Sequence, residues 1–208
     1  MEIPVYLFTG FLEAGKTRFI QETLEDENFN AGENTLLLVC EEGVEEYDIS
    51  RFADAEHIHI EYIEGIENLD AHKLSLLEHN LQLDRVMIEQ NGMTTAKDLL
   101  ERLPENWAIY QEVMFADAQT FPNYNANMRS LVVDKLQGCE LIVFNRCDEA
   151  TDKMALHKIV RATNRRTNII YEKTDGEIEY DEIQDPLPFD LNAPVVEIQD
   201  EDYAVWYR

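Results

Sequence analysis

The segment Gly10-Phe11-Leu12-Glu13-Ala14-Gly15-Lys16-Thr17 is a complete G-x-x-x-x-G-K-[ST] phosphate loop, and nothing else in the chain restricts its fold so sharply. Before it, Val5-Tyr6-Leu7-Phe8 is short, apolar and partly aromatic, as a buried strand requires. After it, Arg18-Phe19-Ile20-Gln21-Glu22-Thr23-Leu24 continues as an amphipathic helix. In that strand–loop–helix setting the motif has a mechanism rather than being a glycine-rich turn. Its glycines let the backbone curl so that successive N–H groups face a β-phosphate, Lys16 reaches the β/γ-phosphates, and Thr17 can ligate Mg2+.

The chain has 208 residues, enough for one α/β domain with a full core. Apolar residues make up 45%, too many for a disordered chain. No apolar run approaches the ~18 residues of a membrane span, and the N-terminus lacks a basic-then-apolar leader pattern, so a cytoplasmic protein is expected. Three cysteines, Cys40, Cys139 and Cys147, are an odd number without C-x-x-C spacing, which suits reduced thiols better than a disulfide framework. Asp and Glu number 43 against 17 Lys and Arg, for a net charge of −26. Such a surface repels polyphosphate backbones and anionic bilayers, so neither nucleic acid nor membrane is an expected partner. Residues 172–202 hold twelve acids and Lys173 as their one base. That tract suits a solvated strand-and-linker region, or a docking surface for a cationic partner or a metal.

Strand-like and helix-like stretches alternate, which a mostly parallel α/β sheet demands. Thr35-Leu36-Leu37-Leu38-Val39-Cys40 is apolar throughout and reads as buried on both faces. His57-Ile58-His59-Ile60-Glu61-Tyr62-Ile63 alternates strictly, as a half-exposed strand does, and a leucine-rich helix follows around residues 67–79. Arg85-Val86-Met87-Ile88-Glu89 and Val113-Met114-Phe115-Ala116-Asp117 are strands that end in an acid. Between them Ala96, Leu99, Leu100 and Leu103 follow the helical period, with Thr95 and Asp98 spaced like a capping box and Pro104 just beyond. One helix is expected to bury Tyr124, Met128, Leu131, Val132 and Leu136 and to stop at Gly138. Leu141-Ile142-Val143-Phe144 then leads into Asn145, a helix near 152–163 uses Leu156, Ile159 and Val160, and Asn168-Ile169-Ile170-Tyr171 reads as the last sheet strand. The first domain is expected over 1–184, a proline-rich linker over 185–194, and in 195–208 either a C-terminal arm or the truncated start of a second domain.

Further motifs sit at strand ends. In Asn145-Arg146-Cys147-Asp148, an N-[KR]-x-D arrangement, the Asp148 carboxylate can accept two N–H bonds from guanine, Asn145 contacts the opposite edge of the base, and Arg146 lies along the base plane. Alone the tetrapeptide is a common turn after a strand; following a phosphate loop it becomes a guanine reader. In Glu89-Gln90-Asn91-Gly92 the acid can hold Mg2+ or its waters and Gly92 lets a backbone N–H approach the γ-phosphate, although a helix-capping loop would look similar. Glu41, in Cys40-Glu41-Glu42-Gly43, can ligate metal or orient water. His57 and His59 have a spacing that chelates Zn2+ or Ni2+ and that equally suits an exposed strand face. His72 and His79 share one side of a helix and read as solvated.

The order of phosphate loop, Glu-Gly loop, Glu-x-x-Gly and Asn-x-x-Asp resembles the CobW/HypB/UreG-type P-loop GTPases of the SIMIBI class, over roughly residues 3–172. Gly10 to Thr17 is similar almost letter for letter to that family's G-F-L-G-A-G-K-T. Cys40 to Gly43 resembles its Asn-Glu-Phe-Gly loop, Glu89 to Met93 its Glu-x-x-Gly-Met/Leu loop, and Asn145 to Asp148 its Asn-Lys-x-Asp. The resemblance implies an α/β, three-layer P-loop NTPase fold with a mostly parallel central sheet. It also implies GTP and GDP as ligands, Mg2+ among Thr17, Glu41 and Glu89, and guanine selection by Asp148. Lys16, Glu41 and Glu89 would carry hydrolysis, and Gly10, Glu13, Ala14, Gly15, Lys16, Thr17, Arg18, Gly92, Asn145, Arg146 and Asp148 would bind nucleotide.

The family further implies a partner in metal or corrinoid metabolism, homodimerisation across the nucleotide, and a transition metal such as Zn2+, Co2+ or Ni2+. Three departures bear on this. Glu13 replaces a glycine, Gln90-Asn91 replaces small hydroxyl residues, and the Cys-x-Cys-Cys metal motif expected between residues 44 and 85 is absent. The leading expectation is a slow Mg2+-dependent GTPase. Its rival is a nucleotide-gated binding module that hydrolyses little, and a small-molecule kinase would instead prefer ATP.

Overall fold

The computed structural model describes residues 2–29, 31–41, 43 and 46–183, and the backbone of 196–199 and 204–207. Its strands are β1 (Ile3–Gly10), β2 (Thr35–Val39), β3 (Ile58–Tyr62), β4 (Arg85–Glu89), β5 (Trp107–Asp117), β6 (Leu141–Cys147), β7 (Asn168–Lys173) and β8 (Ile178–Tyr180). The helices are α1 (Lys16–Glu25), α2 (Ala71–Leu81), α3 (Ala96–Leu100), α4 (Phe121–Asn127), α5 (Arg129–Gly138) and α6 (Lys153–Arg161). The strands form one sheet in the order β3-β2-β4-β1-β5-β6-β7-β8. All pairings are parallel except β7 with β8. The fold class is therefore as expected, a mostly parallel α/β sheet between helical layers.

The central strands are apolar on both sides because both sides are covered. Leu36 and Leu38 of β2, Val86 and Ile88 of β4 and Val5 and Leu7 of β1 pack with Leu74 of α2 and Leu99 of α3. On the same side, Met114, Ala116, Ile142, Phe144, Ile169 and Tyr171 meet Phe121, Val132, Leu136, Leu156 and Val160 from α4, α5 and α6. The alternate residues Phe8, Leu37, Val39, Met87, Phe115 and Val143 turn the other way, onto Ile20 and Leu24 of α1 and onto Tyr47 and Phe52. β1 lies between β4 and β5, so the chain crosses over it after β4. In open α/β sheets such a reversal of strand order opens a crevice at the carboxyl ends of the strands.

Several local expectations shift. Residues 66–68 form a 3-10 turn and α2 begins only at Ala71, where the Asp70 side chain accepts hydrogen bonds from the His72 and Lys73 amides. The Thr95 hydroxyl caps α3 by accepting from the Asp98 amide, but the helix is short, and Leu99 is buried while Leu100 is exposed. The single helix expected over 124–136 is two, meeting at Met128. The Met128 amide still reaches the Tyr124 carbonyl at 2.7 Å, but Met128 itself lies at φ −131° and ψ 39°, outside the helical region. Asn168–Lys173 is not the last strand, because β8 folds back beside it through a turn with Gly176 at φ 87°. The linker expected at 185–194 lies outside the described residues. Of 195–208, the backbone of β9 (Val196–Gln199) and β10 (Ala204–Tyr207) is described, as an antiparallel pair. Among the described residues no helix is long and apolar enough to cross a membrane.

All three cysteines are buried and free, as reduced thiols should be. Burial pushes the Cys147 thiol up to about 11 and those of Cys40 and Cys139 up to about 12. Cys147 donates to the Phe144 carbonyl at 3.3 Å, a packing role.

Glu112 and Lys135 are buried charges between α5 and the sheet. The Lys135 ammonium donates to the Thr94 carbonyl at 3.1 Å, and burial pulls its pKa down to about 8. Burial first, and then the neighbouring Asp134, pushes the Glu112 carboxyl up to about 7. A raised carboxyl favours the folded state when protonated, so its contribution is full below its ordinary range and is lost as pH rises to about 7. Denaturant titrations of Glu112→Gln from pH 5 to 8 should accordingly show a flatter stability profile than the parent and a gain on the order of 2 kcal/mol at pH 8.

Candidate nucleotide-binding site

The crevice beside β1 is a cleft of about 530 Å3, lined by the phosphate loop from Leu12 to Arg18 together with Glu41, Glu89, Asn145, Arg146 and residues 172–174 at the end of β7. Its floor is the backbone between β1 and α1. Gly10 has φ 140° and passes so close to β5 that a Cβ would fall 2.2 Å from the Phe115 carbonyl oxygen. Gly15 caps α1 at φ 92° and has no side chain to cover the first amides of the helix. A Cβ on Gly15 would fall 2.6 Å from Asn145 Nδ2, inside the cradle. Glu13, where the related motif has glycine, is held left-handed at φ 59°, a conformation that costs a side-chain-bearing residue about 1 kcal/mol.

Lys16 is 2% exposed and all three of its ammonium donors are engaged. They reach the Gly10 carbonyl at 3.0 Å, the Phe11 carbonyl at 2.9 Å and Glu41 Oε2 at 2.6 Å. The Thr17 hydroxyl donates to Glu89 Oε1 at 2.6 Å. Tyr47, which sequence reasoning did not single out, donates its phenol to Glu89 Oε2 at 2.6 Å. Burial raises the Glu89 carboxyl above its usual range, opposed by these two hydrogen bonds and by nearby Lys16. Burial next to Glu89 also raises the Tyr47 phenol. Glu41 is not seated with the Thr17–Glu89 pair as expected. Its second oxygen accepts the Gly92 amide at 3.2 Å, so it bridges Lys16 to the loop after β4. Gly92 is a packing requirement, since a Cβ there would lie 2.7 Å from the Gly10 carbonyl oxygen.

At the other end Asn145 Nδ2 donates to the Ala14 carbonyl at 2.5 Å, and Asn145 Oδ1 is buried without a partner. Arg146, left-handed at φ 54°, donates to the Glu13 carbonyl at 3.0 Å and to Asp117 at 2.8 Å. Asp117 is a second residue missed as a site member, though its strand-ending position was the signal. Its other oxygen caps the Gln119 and Thr120 amides, so Asp117 fixes the pose of Arg146. Arg18 runs along its own helix to Glu22 and comes within 3.7 Å of Glu172. Asp148 is not brought into the cleft lining. It stays exposed one turn beyond, with Oδ1 accepting from the Ala150 amide and the Thr151 hydroxyl.

The unpartnered Asn145 oxygen and the glycine cradle fit a ligand between the two loops. Thr17 and Glu89 are oxygen donors suited to Mg2+, and the Thr17 hydroxyl can offer a lone pair while still donating to Glu89. The histidines make no comparable site. His57 closes a 3-10 turn ahead of β3, with its ring held by Asp54 at 2.8 Å, so it is not paired with His59 along one strand. His72 and His79 lie exposed on α2. Among the described residues no three His, Cys, Asp or Glu side chains converge on a metal position.

The sequence from residue 4 to residue 171 matches the family model for the CobW/HypB/UreG nucleotide-binding domain. The chain belongs to that family. Similar solved structures include the Zn(II)-bound YjiA GTPase from E. coli, at 22% identity and a TM-score of 0.61, over 86% of this chain and 60% of that one. Another is the hydrogenase maturation factor HypB from Archaeoglobus fulgidus, at 19% identity and a TM-score of 0.58, over 84% of this chain and 82% of that one. At these identities the likeness is one of fold. The chain spans about 60% of the length of YjiA. None of the curated proteins searched matches it.

If Tyr47 holds the Glu89 carboxylate, Tyr47→Phe removes a donor from a buried acceptor. Urea unfolding at neutral pH should register a loss of roughly 1–3 kcal/mol, with the native circular dichroism spectrum retained.

Proposed function

We propose that this CobW/HypB/UreG-family chain is a Mg2+-dependent GTP-binding protein that hydrolyses GTP slowly, in the manner of a metallochaperone or metalloenzyme maturation factor. The observation that carries the reading is the tie between Asn145 and Ala14, which sets a purine-contacting loop against a phosphate loop across one cleft. In this arrangement the amides at the start of α1 receive the β-phosphate, and Lys16 neutralises β/γ oxygens. Asn145 and Arg146 flank the base, and Asp148 supports guanine selection. A carboxylate has about four lone-pair sites, so those not used in its own turn are available to a base. Thr17 and Glu89 would hold Mg2+, whose charge offsets that developing on the transferred phosphoryl oxygens.

One observation favours slow turnover and keeps the rival of a nucleotide-gated binding module in play. Gln90 is 2% exposed, and its side-chain amide donates to the Thr94 and Thr95 carbonyls at 3.0 and 3.2 Å. It is committed to holding its own loop and is not available to orient water. A transition-metal cargo, a metal- or corrinoid-pathway partner and a homodimer belong to the family reading alone.

Multiple turnovers of GTP with Mg2+ support the GTPase, whereas tight binding with under one turnover per site over hours supports the binding module. Lys16→Ala should abolish nucleotide binding or turnover, and unaltered turnover in that variant refutes the site. Asp148→Asn should lose the preference for GTP over ATP in competition binding; a retained preference removes Asp148 as the guanine reader.

A further inference from the structure

We infer that Glu41 sets the discrimination between tri- and diphosphate nucleotide by occupying, with its carboxylate, the two donors that a γ-phosphate would take. The inference rests on the nucleotide-binding reading of the cleft and goes beyond it, because that reading gives Glu41 only the metal or a water molecule.

The geometry is a bridge. Glu41 Oε2 lies 2.6 Å from Lys16 Nζ, with the two side chains 8% and 1% exposed. Glu41 Oε1 accepts the Gly92 amide at 3.2 Å. A single oxyanion thus joins the phosphate-loop lysine to the loop after β4. Those donors come from separate elements and are brought together because Gly92 packs without a Cβ against the Gly10 carbonyl. A phosphoryl group is also a compact oxyanion able to accept from a lysine and an amide at once, and Lys16 of this motif reaches both the β- and the γ-position.

The two nucleotides meet this bridge differently. Lys16 has three donors, and all are engaged, to Gly10, Phe11 and Glu41. A β-phosphate seats on the amides at the start of α1 and needs nothing from Gly92. A γ-phosphate needs both Lys16 and Gly92, and it adds negative charge beside a buried carboxylate. Glu41 therefore competes with the third phosphate and much less with the second. Its displacement also couples the loop after β2 to the number of phosphates bound.

Calorimetric titration with Mg2+–GDP and with the Mg2+ complex of a non-hydrolysable GTP analogue tests this in the full chain, as Glu41→Gln, Glu41→Ala and the parent. Both variants should shift the ratio of GTP-analogue to GDP affinity at least tenfold toward the GTP analogue. General loosening of the site would weaken both ligands together and leave their ratio untouched. An unchanged ratio, or one that moves toward GDP, overturns the inference while nucleotide binding stands. Failure of the parent to bind either nucleotide overturns both. A measurement on the parent covers the case of a variant that does not fold. Amide exchange in the peptide holding Glu41 should be faster with the GTP analogue than with GDP, because the carboxylate loses both partners, and equal exchange overturns the inference.

Discussion

The Asn145 side chain reaches 131 residues back along the chain to the Ala14 carbonyl, and the shape of the cleft depends on that contact. Backbone amides in a loop point wherever the loop points, and a ten-residue helix with an uncapped start does not fix its own approach to the sheet. The Asn145 tie does so from β6, with Arg146 adding a second tie to Glu13 and Asp117 locking Arg146 in turn. The phosphate loop is thus clamped from β6, the strand that carries Asn145 and Arg146. Gly15 completes the fit, since any larger residue would collide with the clamping amide.

The parts of the sequence that were legible are those where one physical requirement dominates. β2 and β4 have unbroken apolar centres, Leu36 to Val39 and Val86 to Ile88, and lie between covered faces, so they could be read directly. The phosphate loop was readable because its chemistry constrains the backbone itself. Side-chain partnerships were less so, for they arise from strand order. Glu89 ends β4, next to β1, and Glu41 follows β2, one strand further out, yet Glu41 lies on Lys16 and Glu89 on Thr17. Tyr47 stands in a stretch with no pattern of its own and becomes part of the site only because it packs on the α1 side of the sheet. His57 misled for the opposite reason. Strict alternation suggested a strand, but Asp54 holds the imidazole and closes a tight turn before the strand begins.

Acidity is distributed in two ways. Most acidic side chains among the described residues are exposed, where their charge repels other anions. A few carboxylates are placed where desolvation makes them expensive, and two of these, Asp181 and Glu89, are met by specific donors. Asp181 is held by His157 at 2.7 Å and by the Tyr171 phenol at 3.2 Å, and Glu89 by Thr17 and Tyr47. Removing one partner from such a group exposes its full desolvation penalty, which is why these positions, rather than the surface acids, organise the structure.

The final antiparallel turn of the sheet has a consequence of a different kind. A parallel sheet that stopped at β7 would offer a row of unsatisfied peptide groups to any passing extended chain. β8 occupies that row, and at three residues it is too short to present an equivalent row outward. Its central Glu179 is ion-paired with Lys153 and Lys173, so the outermost strand is charged as well as brief. The opposite border, β3, carries His59 and Glu61 on a five-residue strand. Both margins thereby discourage the strand-to-strand accretion through which apolar-rich chains form fibres.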